Sequence, residues 1–245
     1  MKVIETDNLT KMFGSFTAVD HITFDVNEGE IFGFLGANGA GKTTAMRILC
    51  GLHAPTSGEA VVAGFDVYTQ TEQIKRRIGY MSQKFSLYSD LTVAENIRLY
   101  AGIYGLSNQQ IAAKTQELLN MLQLQGEQNT LVESLPLGWK QKLAFSVAIL
   151  HEPKIVFLDV PTGGVDPVTR RQFWEQIYAA SQRGITVFVT THYMDEAEYC
   201  NRVSIMVDGR IEALDSPAQL KRMFHAEDMN QVFHTLARKA KREEA

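Results

Sequence analysis

With 245 residues, 45% of them hydrophobic and 21% charged, the chain has ordinary globular composition and ample apolar material for a core. Its net charge of −4 lacks the clustered basic field that a nucleic-acid partner demands. The apolar runs at 155–158 and 185–189 are strand-length, far short of the ~20 residues that cross a bilayer.

No apolar stretch follows a basic start, so the sequence predicts no secretory signal. Cys50 and Cys200 sit in unrelated apolar surroundings without a CxxC or His-rich neighbourhood, as buried thiols of a reducing compartment do. A cytoplasmic protein is expected. The basic cluster Arg238, Lys239, Lys241 and Arg242 runs straight into Glu243 and Glu244, and reads as a solvated helix end.

Taken in order, residues 3–5, 22–26 and 60–63 read as short strands joined by turn-rich sequence, which suggests a small antiparallel sheet. Residues 31–35 form a buried strand entering a glycine-rich turn, and 43–50 read as a helix. From about 93 to 123 the pattern is helical, with Ile97, Tyr100, Ala101 and Tyr104 spaced i, i+3, i+4, i+7. A helix at 140–150 leads to a strand at 155–158, and strands at 186–189 and 203–207 follow, each after a helix. The last forty residues hold two short amphipathic helices, the second carrying Met229, Val232, Phe233 and Leu236. The alternation is that of an α/β protein.

Gly36-Ala-Asn-Gly-Ala-Gly41-Lys42-Thr43 matches the phosphate-binding P-loop, GxxxxGK[ST], between a strand and a helix. Gly36, Gly39 and Gly41 let the backbone curl so that N–H groups point inward at phosphate oxygens. The helix adds its positive dipole end. Lys42 reaches the β- and γ-phosphates in such a cradle, and the Thr43 hydroxyl holds Mg²⁺. The pattern needs a second half, a carboxylate at the end of another buried strand. Asp159, after four apolar residues, supplies it where ligands sit in open α/β sheets.

Along essentially its whole length the chain then resembles the nucleotide-binding subunits of ABC transporters. The resemblance implies an α/β fold: a P-loop NTPase core with a small antiparallel β lobe and an inserted helical lobe. One domain is expected, with core segments 1–84 and 151–215, a helical lobe at 85–150 and C-terminal helices at 216–245. It implies ATP and Mg²⁺ as cofactors, cradled by Gly36, Asn38, Gly39, Ala40, Gly41, Lys42, Thr43 and Thr44. Gln83 fits the Q-loop, which touches the metal. Asp166 fits the D-loop at a dimer seam, His192 the switch histidine on the γ-phosphate, and Phe13 the aromatic that stacks on adenine. The stretch from Lys84 to Val93 and Met194-Asp-Glu-Ala-Glu198 look like the export and drug-resistance branch. Partners implied are integral-membrane permease subunits and a second ATP-binding subunit, identical or different, with no nucleic acid. The chain would then lie on the inner face of the membrane.

Two features, one residue and one segment, depart from the family pattern. Val160 stands where the family has the Glu that orients the attacking water, and valine offers no acceptor. Losing such a group costs ~10²–10⁴-fold in rate, so slow turnover at this chain's own P-loop is expected. The signature segment reads Leu135-Pro136-Leu137-Gly138-Trp139 in place of Leu-Ser-Gly-Gly-Gln. Pro136 has neither hydroxyl nor N–H, and Leu137 adds bulk where glycine allowed close approach. A non-transport or regulatory ABC ATPase with weakened hydrolysis stays open as the alternative.

Overall fold

The computed structural model describes residues 1–83 and 87–243, with side chains through residue 238. Lys84, Phe85 and Ser86 of the export-like segment lie outside the described residues, as do Glu244 and the side chains of Lys239, Lys241, Arg242 and Glu243.

The first half runs β1 (Lys2–Phe13), β2 (Phe16–Asn27), β3 (Ile31–Gly36), α1 (Lys42–Leu49), β4 (Ser57–Val62), β5 (Phe65–Asp66), α2 (Thr71–Lys75) and β6 (Ile78–Met81). Helices α3 (Val93–Ile103), α4 (Asn108–Met121) and α5 (Leu137–Ala148) follow, then β7 (Ile155–Asp159), α6 (Pro167–Gln182) and β8 (Thr186–Thr191). The chain closes with β9 (Arg202–Val207), β10 (Arg210–Asp215), α7 (Pro217–Met223) and α8 (Met229–Glu243).

Strands β2, β1, β4 and β5 pair in that order as an antiparallel sheet. The main sheet is ordered β10-β9-β3-β8-β7-β6, parallel from β9 to β6 with β10 antiparallel at its edge. Parallel strands buried on both faces read as continuous apolar runs, which is why 155–158 and 186–189 were legible. Alternate residues feed two cores. Val156, Leu158, Val187 and Val189 face the core shared with α3–α6, while Phe157 and Phe188 face the one shared with the antiparallel sheet. Among the described residues the helical segment therefore has no core of its own; it closes over one side of the sheet. On the other side Phe188 touches Phe24, Phe32, Phe34 and Phe157 at ring-centroid distances of 6.2, 5.6, 5.3 and 5.3 Å. Burying each such ring is worth roughly 2–3 kcal/mol.

The helices begin where the sequence caps them. Thr92 with Glu95 and Ser107 with Gln110 form capping boxes, and Asp166 caps α6 with Pro167 in its first turn. Several boundaries differ from those the pattern predicts. The hairpin strands are twelve residues each, because Asn8 and His21 take left-handed φ angles of 49° and 50° and bulges break the alternation. Helix α5 starts at Leu137, three residues early, because Pro136 occupies its N-cap with an extended ψ and its carbonyl accepts from Trp139 and Lys140. The helix before β9 is only a 3₁₀ segment, Met194–Tyr199. Among the described residues no helix is long and apolar enough to cross a membrane.

Candidate functional site

The parallel strands aim their C-terminal ends at one edge, and the chemistry-bearing residues collect there. β3 ends at Gly36 and feeds the glycine turn; β7 ends at Asp159; β8, between them, pairs Thr190 with Asp159. His192 follows β8 directly, and Gln83 stands two residues past β6.

Gly41 makes the cradle possible. Its φ is +100°, and a Cβ there would lie 2.2 Å from the Ala18 carbonyl oxygen, so no larger residue fits. It caps α1 without a side chain, leaving the first-turn N–H groups with no intrahelical acceptor. Lys42 is buried, its ammonium donating to the carbonyls of Gly36 (2.7 Å) and Ala37 (2.8 Å). Burial pushes its pKa down to about 8, against the opposing pull of the Asp159 charge. The Thr43 hydroxyl lies 3.1 Å from both Asp159 carboxylate oxygens, and the Thr190 hydroxyl donates to Asp159 Oδ1 at 2.6 Å.

A cavity of about 440 Å³ opens over this turn, lined by Asn38, Gly39, Gly41, Lys42, Thr43 and Thr44 together with Phe16, Ala18, Gln83 and Val160. Ala40 is buried beneath it. The donor set fits a magnesium triphosphate: one carboxylate, one hydroxyl, a buried ammonium and a turn that tolerates no side chain at Gly41. Mg²⁺ is commonly held in this way, by one or two carboxylates together with substrate phosphates. Among the described residues no three His, Cys, Asp or Glu side chains cluster as an all-protein metal cage.

The aromatic wall of the cavity is Phe16, not Phe13. Phe13 is the cross-strand partner of Phe16 at the hairpin tip, and its ring is engaged by His53, edge-on at 6.3 Å, and by the Lys11 ammonium at 5.1 Å. Sequence reading missed Phe16 because it pairs directly with Phe13 across the hairpin, and only the packing of that hairpin against the glycine turn brings the second aromatic to the cavity. It also missed Thr190, which lay unmarked inside an apolar strand.

Val160 holds a left-handed φ of 48°, a strained conformation for a β-branched residue. The strain is held by its N–H, which donates to the carbonyl of Thr190 at 3.1 Å and lies 3.2 Å from its hydroxyl. Pro136, Leu137, Gly138 and Asp166 do not border the cavity over the glycine turn. Leu137 instead lines an adjoining cavity of about 270 Å³ together with Gln141, Gln83 and Val160. A Cβ on Gly138 would lie 2.5 Å from the Thr169 methyl, so α5 and α6 touch closely there. Asp166 accepts from the N–H groups of Val168 and Thr169 and from the Thr169 hydroxyl, which together hold its carboxyl below the usual range. His192 is half-buried, and its Nδ1 is a buried nitrogen without a hydrogen-bond partner.

The family profile described as "ABC transporter" matches residues 19–163. The probable multidrug ABC transporter ATP-binding protein YbhF of Escherichia coli (strain K12) is 48% identical over 219 residues, 89% of this chain and 38% of that protein. The chain thus spans well under half the length of that relative. The bacitracin transport ATP-binding protein BcrA of Bacillus licheniformis is 39% identical, covering 85% of this chain and 68% of BcrA. The Nod factor export ATP-binding protein I of Cupriavidus metallidurans is 35% identical, covering 89% and 72%. Among solved structures, an ATP-binding subunit of an ABC transporter superposes with a TM-score of 0.85 at 26% identity, covering 96% of this chain and 99% of the other. An ATP-binding cassette dimer in a post-hydrolysis state with ADP and Pi gives 0.77 at 26% identity, covering 87% and 98%.

Proposed function

The chain belongs to the ABC transporter family, and on that premise we propose that it is the ATP-binding, energy-coupling component of an exporter. The observation that carries the proposal is the Lys42–Thr43 turn facing Asp159 at 3.1 Å beneath an open cavity. Export is supported by the relatives, which are named for multidrug transport, bacitracin transport and Nod factor export.

In this proposal the backbone N–H groups of Gly39, Gly41, Lys42, Thr43 and Thr44, and the side chain of Asn38, receive the phosphates; Gly36 and Ala40 shape the turn beneath them. Lys42 gives up its two carbonyl acceptors for phosphate oxygens. Thr43, Asp159 and Gln83 would hold Mg²⁺, which supplies neutralisation of charge on the β- and γ-phosphates. Adenine rests on the hairpin's aromatic tip, at Phe16 with Phe13 behind it. His192 donates to the γ-phosphate from the end of β8.

Val160 can neither accept nor relay a proton, so this chain's own hydrolysis is slow and its binding intact. A second copy or a different ATP-binding subunit faces the cavity through its signature segment and the Asp166 loop. Here Pro136 and Leu137 leave Gly138 and the N-terminus of α5 as the phosphate-facing features. That pairing suits a mixed dimer whose partner retains the Glu and the Ser-Gly-Gly clamp. The core, helical and C-terminal segments act as one domain beneath integral-membrane permease subunits, on the cytoplasmic face. A regulatory ATP-binding component is the second reading, and Val160 is what favours it. Copurification from membranes tests the proposal: a multi-span membrane protein and a competent ATPase partner support export. ATP-dependent self-association without turnover beside any partner supports the regulatory reading.

A further inference from the structure

We infer that Arg170, outside the nucleotide cavity, is the positioning residue that sets His192 and ties its loop to the segment following Asp159. The inference rests on the reading of His192 as the γ-phosphate contact, and it adds a residue that no motif of the sequence marks.

The geometry begins at the ring of His192. Its centroid lies 4.2 Å from that of Tyr193, with the planes 36° apart, so the two rings are in tilted contact. The Arg170 guanidinium carbon lies 4.5 Å from the Tyr193 ring centroid, within cation–π range. The same guanidinium reaches Asp195 Oδ2 at 3.3 Å and Glu196 Oε1 at 3.6 Å. One planar cation therefore holds three residues, Tyr193, Asp195 and Glu196, of the loop that carries His192. Lysine, a point charge on a flexible stem, cannot stack and fork at once.

The contact continues inward. Glu196 is fully buried and accepts from the hydroxyl of Thr162, which is also fully buried and lies three residues past Asp159. A buried carboxylate without a counter-charge is strongly unfavourable, and Arg170 supplies that charge. Arg170 itself sits in the first turns of α6, whose cap is Asp166 and whose Thr169 touches Gly138. The residue thus joins the His192 loop, the Thr162 segment and the start of α6.

The network is not saturated. Arg170 Nε and Glu196 Oε2 are buried atoms without hydrogen-bond partners, and the Nε–Oε1 separation of 3.6 Å exceeds an ordinary bond by about 0.6 Å. A sub-ångström approach of the His192 loop converts the pair into a direct hydrogen bond. Tightening there shifts the tilted Tyr193–His192 ring pair, which is how γ-phosphate contact and the Thr162 segment become linked.

The test is equilibrium titration of the whole chain with Mg·ATP and Mg·ADP, read as the ratio of the two affinities, alongside the melting temperature of each variant. His192→Ala is expected to lower the ATP-over-ADP preference about tenfold, the size of one charged hydrogen bond. Arg170→Gln is expected to lower it by a similar factor with ADP affinity held. Tyr193→Phe keeps the ring and keeps the ratio; Tyr193→Leu loses it, and decides the matter if Arg170→Gln does not fold. If His192→Ala changes the ratio while Arg170→Gln and Tyr193→Leu do not, or weaken both nucleotides equally, the positioning role is overturned and the γ-phosphate reading survives. If His192→Ala leaves the ratio untouched, the γ-phosphate reading itself fails and this inference falls with it.

Discussion

Lys42 offers a prediction whose sign and size follow from its burial. In the free protein its pKa is lowered from 10.5 to about 8, chiefly by desolvation. At pH 9 about nine in ten of these ammonium groups are then neutral, and at pH 7 about one in ten. A triphosphate brings opposite charge within contact distance and favours the protonated form. Nucleotide binding should therefore take up about 0.9 proton per site at pH 9 and about 0.1 at pH 7, with affinity falling toward tenfold per pH unit above 8. Without nucleotide the linkage runs the other way. The folded pKa lies below the unfolded one, so the unfolded chain binds more protons between about pH 8 and 10.5, and this group makes stability rise with pH in that window. Calorimetric titration in two buffers of different ionisation enthalpy measures the uptake directly, with Lys42→Met as the control. Equal uptake at pH 7 and pH 9, or the same uptake in Lys42→Met, would refute the reasoning.

Three further outcomes are expected. Val160→Glu should raise steady-state ATP turnover by ~10²-fold or more, since it restores an acceptor beside the γ-phosphate; an unchanged rate means the attacking water is placed by another group. Gly41→Ala combines a φ of +100° with a 2.2 Å approach to the Ala18 carbonyl, so denaturant unfolding should show a loss of about 2–4 kcal/mol together with lost nucleotide binding. Phe16→Ala should weaken ATP by about 1–3 kcal/mol, the worth of one base-stacking contact, and Phe13→Ala by less. Affinities in the reverse order would seat the adenine on Phe13 instead.

Legibility in the sequence tracked how local each signal was. The glycine turn announces itself because φ angles and close approach dictate residue type within eight positions, and Asp159 because a buried parallel strand is a continuous apolar run. The capping boxes at Thr92 and Ser107 are equally local. The long hairpin was seen only in pieces, since the bulges at Asn8 and His21 interrupt its alternation. Phe16 was passed over because only the packing of the hairpin against the glycine turn brings it, rather than its cross-strand partner Phe13, to the cavity. Val160 was legible as a missing acceptor, while its left-handed backbone was not, because nothing in a valine codes for it. The network of Arg170, Glu196 and Thr162 was invisible for a different reason. Its members are joined by folding across 34 residues, and each alone is an ordinary polar side chain.

Asp159 and the Lys42 turn act together on one metal-bound triphosphate in the proposed function. The most direct measurement is the affinity of the purified chain for ATP with and without Mg²⁺, in the natural protein and in Asp159→Asn. Saturable binding of one nucleotide per chain is predicted, strengthened by Mg²⁺ in the natural protein and indifferent to it in Asp159→Asn. Binding that is absent, or that gains as much from Mg²⁺ when Asp159 is replaced, contradicts it.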